Sequence, residues 1–331
     1  MIPYTKIETP EYQERISYGT SLMAIGSCFA ESIGGALLKN KFDIDVNPFG
    51  VIYNPSSVAQ SLKMLIHNDR QTKETLFLHD GLYHSFNHHS RFSDVSQDEC
   101  LRKINERLAI SSANIRKISY LLITFGTAWI YRRKDTGQTV ANCHKLPEQT
   151  FERSRLTVSE ITREWKALLS ELRSVNSAVK VIFTVSPVRH LKDGAIENQR
   201  SKATLLLAVG ELCASNPDVA LYFPAYEIMM DELRDYRFYA DDMLHPSEMA
   251  VRHIYNRFAE AFMDDETREL TAEVVRINKL LEHRPVHPTL QSYNHFTEQL
   301  TFRTEQLKQK TPYICFDKEM EEAKRFFGVH E

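Results

Sequence analysis

The chain has 331 residues, with 41 lysines and arginines against 44 aspartates and glutamates, and its net charge of -3 leaves no global field to recruit nucleic acid or an anionic membrane surface. A hydrophobic fraction of 42% is ample for a core, in one large domain or two. Five scattered cysteines (Cys28, Cys100, Cys143, Cys213, Cys315) make no disulfide framework, so a reducing, cytoplasmic setting is expected. The N-terminus shows no signal-peptide pattern, and no apolar run nears the ~18 residues of a membrane span.

Leu22 to Ile25 form a short apolar run closed by Gly26, as in a buried parallel strand. Phe29, Ile33 and Leu37 then recur with helical spacing. Ser27 and Cys28 therefore fall in a tight strand-to-helix turn, where the first helical amides favour a thiolate or an oxyanion. A short second strand is expected near Asp43 to Val46, then a loop through Asn47, Pro48, Phe49 and Gly50. Asn54 and Pro55 open a helix marked by Val58, Leu62 and Leu65 that runs to about Asp69. Glu74 to Asp94 reads as an irregular, aromatic and histidine-rich stretch, and a helix follows from about Gln97 to Arg116.

Ser119 to Gly126 is the clearest central strand. Trp129 to His144 reads as a hairpin turning at Asp135-Thr136-Gly137. Thr157 and Glu160 have capping-box spacing ahead of Ile161, Trp165, Leu168 and Leu172. Another strand ends near Ser186, a helix runs from about Ile196 to Cys213, and the last strand lies in VALYFPAY. Strands alternating with helices predict a parallel sheet covered on both faces. Val251, Ile254, Phe258 and Phe262 give a closing helix. From about Thr267 the chain reads as helical, with Leu270, Val274, Ile277 and Leu281 on one segment, Tyr293, Phe296 and Leu300 on the next, and Pro285 and Pro288 between them. With no repeat and no linker, the boundaries expected are a main domain over 1–265 and a helical extension over 266–331 packed on it.

Asp242 and His245 are three residues apart, just ahead of a helix whose expected N-cap is Ser247. That spacing lets the carboxylate take the imidazole Nδ1–H and leaves Nε2 as a base. In α/β sheets ligands bind at the carboxyl ends of the strands, where this loop and the Ser27–Cys28 turn both belong. His79, His84, His88 and His89 lack HExxH or paired CxxC spacing, so no metal is expected. They suit a loop that walls the pocket, with His88 or His89 touching substrate and Tyr83 and Phe86 placed to stack on a sugar. Arg189 and His190, just past a strand end, suit either an anionic group or an ordinary surface role. No Gly-rich phosphate signature is present, and no cofactor is expected.

Taken together, IGSCFAESIG, NPFGVIYNP, FGTAWIY, ANCHK, SPVRH and DDMLHPS resemble the GSCFA domain family of the SGNH/GDSL hydrolase superfamily, over roughly Met1 to Met263. The resemblance implies a three-layer α/β/α, flavodoxin-like fold and ester hydrolysis by a nucleophile–His–Asp triad. Gly26-Ser27-Cys28-Phe29 falls on the superfamily's Gly-Asp-Ser-Leu turn, so Cys28 takes the nucleophile's place, or Ser27 does if the turn is shifted by one. A thiol near His245 and a helix N-terminus ionises more readily than a hydroxyl, which favours Cys28. Gly50 matches the glycine that gives an amide to the oxyanion hole. The third block's asparagine is missing from Gly126-Thr127-Ala128-Trp129, which leaves the Thr127 hydroxyl or Asn142, beside His144 in the hairpin, to stand in. The expected substrate is a small-molecule or carbohydrate ester, O-acetylated carbohydrate being the class the superfamily favours. The alternatives are an acyltransferase with a thioester donor and a catalytically silent carbohydrate-binding module.

Overall fold

The computed structural model describes residues 5–9, 12, 13, 15–282 and 290–326. Its chain divides into two compact units: residues 1–9, 21–35 and 44–256, and residues 10–20, 36–43 and 257–331.

In the first unit, β1 (Leu22–Gly26), α1 (Cys28–Lys39), β2 (Ile44–Val46) and α2 (Pro55–His67) open the chain. A hairpin of β3 (Leu76–His79) and β4 (Leu82–Ser85) precedes α3 (Gln97–Ile115) and β5 (Tyr120–Phe125). Then come β6 (Trp129–Arg133), β7 (Thr139–Val140), β8 (Phe151–Arg155), α4 (Val158–Val175), β9 (Lys180–Val185), α5 (Gly194–Ser215) and β10 (Ala220–Tyr222). A short turn α6 (Ala225–Glu227) runs into a π-turn, and α7 (Glu248–Phe262) follows.

Five strands pair in parallel in the order β10-β9-β5-β1-β2. Counted within the sheet this is 2-1-3-4-5, the flavodoxin-like doubly wound order whose strand ends carry the ligand site. Alternation sends Met23, Ile25, Leu121, Ile123, Phe125, Val181 and Phe183 to one face, where they pack with Val58, Leu62, Trp165, Leu168, Leu205 and Val209 of α2, α4 and α5. Trp165 anchors this layer, edge-on to Phe125 and Phe183, with its indole N–H donating to the Pro55 carbonyl at 3.2 Å. On the other face α1 lies against Ala24 and Val46. Only glycine fits at position 34, where a Cβ would lie 2.9 Å from the Val46 methyls. The result is the three-layer α/β/α arrangement expected.

Local signals hold where they are strong. Asn54 caps α2 by accepting from Ser57 N–H at 2.8 Å, and Thr157 with Glu160 forms the full capping box of α4. Two elements depart from expectation. The stretch after Glu74 is not irregular: β3 and β4 pair around Asp80-Gly81, both left-handed at φ 48° and 75°. The hairpin after β5 gains a third antiparallel strand, because β8 pairs along β6 from Trp129↔Arg155 to Arg133↔Phe151.

The second unit holds α8 (Asp265–Glu282), α9 (Leu290–Lys310) and α10 (Asp317–Phe326), together with residues 10–20, residues 36–43, which include the end of α1, and the end of α7 from residue 257. Tyr18 stacks on Phe42 and its hydroxyl meets Thr271 at 3.0 Å, while Val274, Ile277, Leu300 and Leu307 are buried. Pro285, Pro288 and the Tyr293 side chain lie outside the described residues. Among the described residues no helix is long and apolar enough to cross a membrane.

Candidate active site

The β1–α1 turn is built by two close approaches. Gly26 has φ +149°, and a Cβ there would lie 2.2 Å from the Thr124 carbonyl oxygen of the neighbouring β5, so no other residue fits. Its amide donates to the Asn47 side chain at 3.0 Å, which ties the turn to the loop after β2. Ser27 is buried, and its hydroxyl accepts from Phe29 N–H at 3.3 Å as an N-cap would. Cys28 is the first helical residue and is half-buried. Among the described residues nothing takes up its amide, one of the donors every helix N-terminus leaves over. Its sulfur meets the Tyr53 hydroxyl at 3.6 Å.

The second loop has the geometry its spacing implies. Asp242 Oδ2 lies 2.6 Å from His245 Nδ1, while Oδ1 accepts the amides of Leu244 and His245, each at 2.9 Å. Those two backbone amides, then the imidazole, hold the Asp242 carboxyl down to about 2. Ser247 caps the following helix through Ala250 N–H at 3.3 Å.

A chain of contacts relates this loop to the β1–α1 turn. The Leu244 carbonyl accepts from Arg189 N–H at 3.1 Å, just past the end of β9. His190, the next residue, sits edge-on to the Tyr53 ring at 5.4 Å. A Cβ at Gly126 would lie 3.3 Å from His190 Nε2 and 3.2 Å from Ser27 Cβ, so both border one point. Both loops thus reach the same rim of the sheet. No hydrogen bond joins His245 to Cys28 or Ser27 among the described residues.

The other expected site residues take varied places. Gly50 does not present a free amide. Residues 47–50 form a turn in which its N–H donates to the Asn47 carbonyl at 2.8 Å, and at φ +80° its Cα packs on His89. Thr127 Oγ1 is engaged with Ser201 at 3.1 Å and accepts from Trp129 N–H at 3.2 Å. Asn142 Oδ1 accepts from His144 N–H at 2.9 Å. Thr127 and Asn142 line a cavity of about 690 Å³ with Tyr53, His89, Trp129, Tyr131, Arg153, His190 and Lys192. Ser27, Cys28 and His245 do not line it; Tyr53 belongs to its wall and touches Cys28.

His88 is beneath that wall rather than on it. It stacks on Phe49, its Nδ1 meets Ser85 Oγ at 2.9 Å, and burial, then His144, pushes it down to about 3. His144 packs on the His84 ring, its Nε2 meets the Ser85 carbonyl at 2.8 Å, and burial lowers it to about 4. These imidazoles are buried against aromatic rings beside the β3–β4 hairpin, and no metal-binding cluster occurs among the described residues. Arg189 turns away from the cavity and meets Met230 Sδ at 3.3 Å.

A model of the GSCFA family matches residues 21–258, and one of the GSCFA domain protein C-terminal domain matches 274–326. The chain belongs to the GSCFA family. No curated protein matches it. Among solved structures it is similar to an acetyl xylan esterase from the rumen bacterium Butyrivibrio proteoclasticus, at 12% identity and a TM-score of 0.38, over 76% of this chain and 65% of that one.

Two residues of this GSCFA protein that sequence reasoning passed over stand close to the rim. Tyr53 carries the cysteine contact, and its carbonyl accepts the amides of Gly126 and Thr127 at 2.7 and 3.0 Å. Lys202 is fully buried, with Nζ donating to the Gly126 and Ser186 carbonyls at 2.6 Å each. Burial, then Arg189, lowers it to about 7. Its signal was a lysine on the apolar stripe of α5 that continues through Leu205, Val209 and Leu212. His190, read as an anion site or plain surface, is held neutral instead: burial, then Lys202 and His245, pushes it to about 4.

Proposed function

We propose that this protein is an acyl-ester hydrolase with Cys28 as nucleophile, His245 as base and Asp242 as its orienting carboxylate. The observation that carries the reading is the 2.6 Å Asp242–His245 pair on the same rim as a half-exposed cysteine at a helix N-terminus. Ser27 is the weaker nucleophile, because its hydroxyl is buried and spent as a cap.

In the reaction His245 Nε2 takes the thiol proton as Cys28 Sγ bonds to the acyl carbon, and the carbonyl π pair moves onto oxygen. Collapse breaks the ester C–O bond, and the leaving alkoxide takes the proton from Nε2. Water then attacks the thioester, giving its proton to Nε2; collapse breaks the C–S bond, the departing sulfur takes that proton back from Nε2, and the carboxylic acid is released. His245 must close onto Sγ when substrate arrives, as catalytic hydrogen bonds do on forming the substrate complex. The helix N-terminus and the Cys28 amide favour the anion that develops.

O-acylated carbohydrate is the substrate class that suits the neighbouring cavity. Trp129 and Tyr131 offer aromatic surface there, and Asn142, Glu148, Lys192 and Asp193 offer hydrogen bonds, a mix that holds polyhydroxylated rings. The test is hydrolysis of p-nitrophenyl acetate by the parent, Cys28→Ala and His245→Ala. Loss of activity in both variants is expected; parent-like rates in both sink the hydrolase reading.

A further inference from the structure

Cys28 has one side chain hydrogen-bonded to its sulfur among the described residues, the Tyr53 phenol at 3.6 Å. A tetrahedral intermediate on Sγ carries its oxyanion one bond angle away from the sulfur. A donor in van der Waals reach of Sγ, on the side from which substrate enters, therefore stands within hydrogen-bond reach of that oxygen. Such a donor is effective at about 2.7–3.1 Å from where the charge forms. Tyr53 lies on that side, since it also lines the 690 Å³ cavity.

The other sources of a second donor are spent or remote. The Gly50 amide is closed into its own turn. The Thr127 hydroxyl is held by Ser201. Asn142 makes no hydrogen bond to Cys28 among the described residues, and its Oδ1 accepts from His144 N–H. We propose that the Tyr53 phenol, with the Cys28 amide, forms the oxyanion hole of this site. The proposal rests on the hydrolase reading and gives its developing charge a partner.

The scaffold fixes the phenol for that task. The Tyr53 carbonyl is clamped by the amides of Gly126 and Thr127, and its ring is braced by His190. Burial, then the neighbouring Cys28 and Glu31, raises the phenol above its ordinary value, so it stays a proton donor when the thiol ionises.

The experiment is Tyr53→Phe in the full chain, which deletes the hydroxyl and keeps the ring. Three quantities are read: kcat for p-nitrophenyl acetate, the pH dependence of Cys28 alkylation by iodoacetamide, and the melting temperature. The expected result is a kcat loss of about 10²–10³-fold with alkylation and melting unchanged. A parent-like kcat overturns the proposal. So does a loss matched by slower alkylation with its midpoint moved to higher pH, because the phenol would then serve the thiolate rather than the oxyanion. Tyr53→Leu is the second variant. A loss equal to that of Tyr53→Phe assigns the effect to the hydroxyl, while a loss in the Leu variant alone assigns it to ring packing and overturns the proposal. Cys28→Ala and His245→Ala run alongside separate the two levels: if both match the parent the hydrolase reading itself has failed, and if both are dead while Tyr53→Phe is not, only the role of Tyr53 has.

Discussion

Asp242 holds His245 from two directions at once: one carboxylate oxygen faces Nδ1 at 2.6 Å, and the other accepts the His245 backbone amide at 2.9 Å. The ring and the backbone that carries it are thus referred to the same carboxylate, which sets the Nδ1–H tautomer and exposes Nε2. Replacing Asp242 with asparagine keeps the acceptor for the amides but permits the wrong tautomer. Asp242→Asn is expected to lower kcat for p-nitrophenyl acetate by about 10²-fold or more while the melting temperature stays near the parent's.

Because the Asp242 carboxyl lies at about 2, below the ordinary 3.8, it is ionised throughout the range in which activity would be assayed. Any stability it lends is present above the ordinary value and is lost only as pH falls through about 2. The acid limb of a rate profile therefore belongs to another group. Carboxyl NMR of Asp242 should show no titration between neutral pH and about 4; a midpoint near 4 would mean the pairing is not made in solution.

His88, His144 and His190 are pushed from the ordinary 6.5 to about 3, 4 and 4, chiefly by burial. Between those values and 6.5 the unfolded chain binds protons that the native state does not, so stability rises with pH across that window. Read downwards, the protein loses stability from about pH 6.5 towards pH 4, above the range where carboxylates contribute. Urea unfolding at a series of pH values checks this, and a flat profile over the window would show that the rings are not buried neutral.

How much of this could be read in advance follows from distance along the chain. The Asp242–His245 pair, the Gly26 turn and the Thr157 capping box are each set by residues a few positions apart, and spacing alone conveys them. Tyr53 is 25 positions from Cys28, and long-range hydrogen bonds, among them Gly26 to Asn47, Ile52 to Gly26 and Gly126 to Tyr53, bring the two together. The β3–β4 hairpin was legible in principle, since Asp80-Gly81 between alternating residues is a turn signal, but its histidines read as polar loop. His84, His88 and His144 are buried because their rings pack on Phe77, Phe49 and, for His84 and His144, each other, contacts between distant segments that composition does not encode. The strand β8 reads FERSR and carries too few apolar residues to announce itself.

Gly26 tests the turn itself. A methyl group at this position meets the Thr124 carbonyl oxygen at 2.2 Å, and φ +149° is strained for any L side chain. Neither strand can yield, since both are buried in the sheet core. Gly26→Ala is expected to cost about 2–4 kcal/mol of stability, seen as a lower midpoint in urea unfolding. A parent-like midpoint would mean that the turn adopts another path.

The cavity wall gives the last prediction. The Arg153 guanidinium lies 4.4 Å from the Trp129 ring centre and is paired with Asp193, so the indole is braced on one side. Trp129 Nε1 and Arg153 Nε are buried with no hydrogen-bond partner among the described residues. A wall of this kind has aromatic surface for a sugar face and polar groups at its edge. On the proposed reading Trp129, which makes no hydrogen bond to Cys28 or His245 among the described residues, holds ground state and transition state alike, and its loss should show in KM rather than kcat. Trp129→Ala is expected to raise KM for an acetylated oligosaccharide about tenfold, or ~1.4 kcal/mol. It should change kcat/KM for p-nitrophenyl acetate, which is too small to span the wall, much less. Equal losses on both substrates would place Trp129 in support of the rim and not in the recognition of carbohydrate.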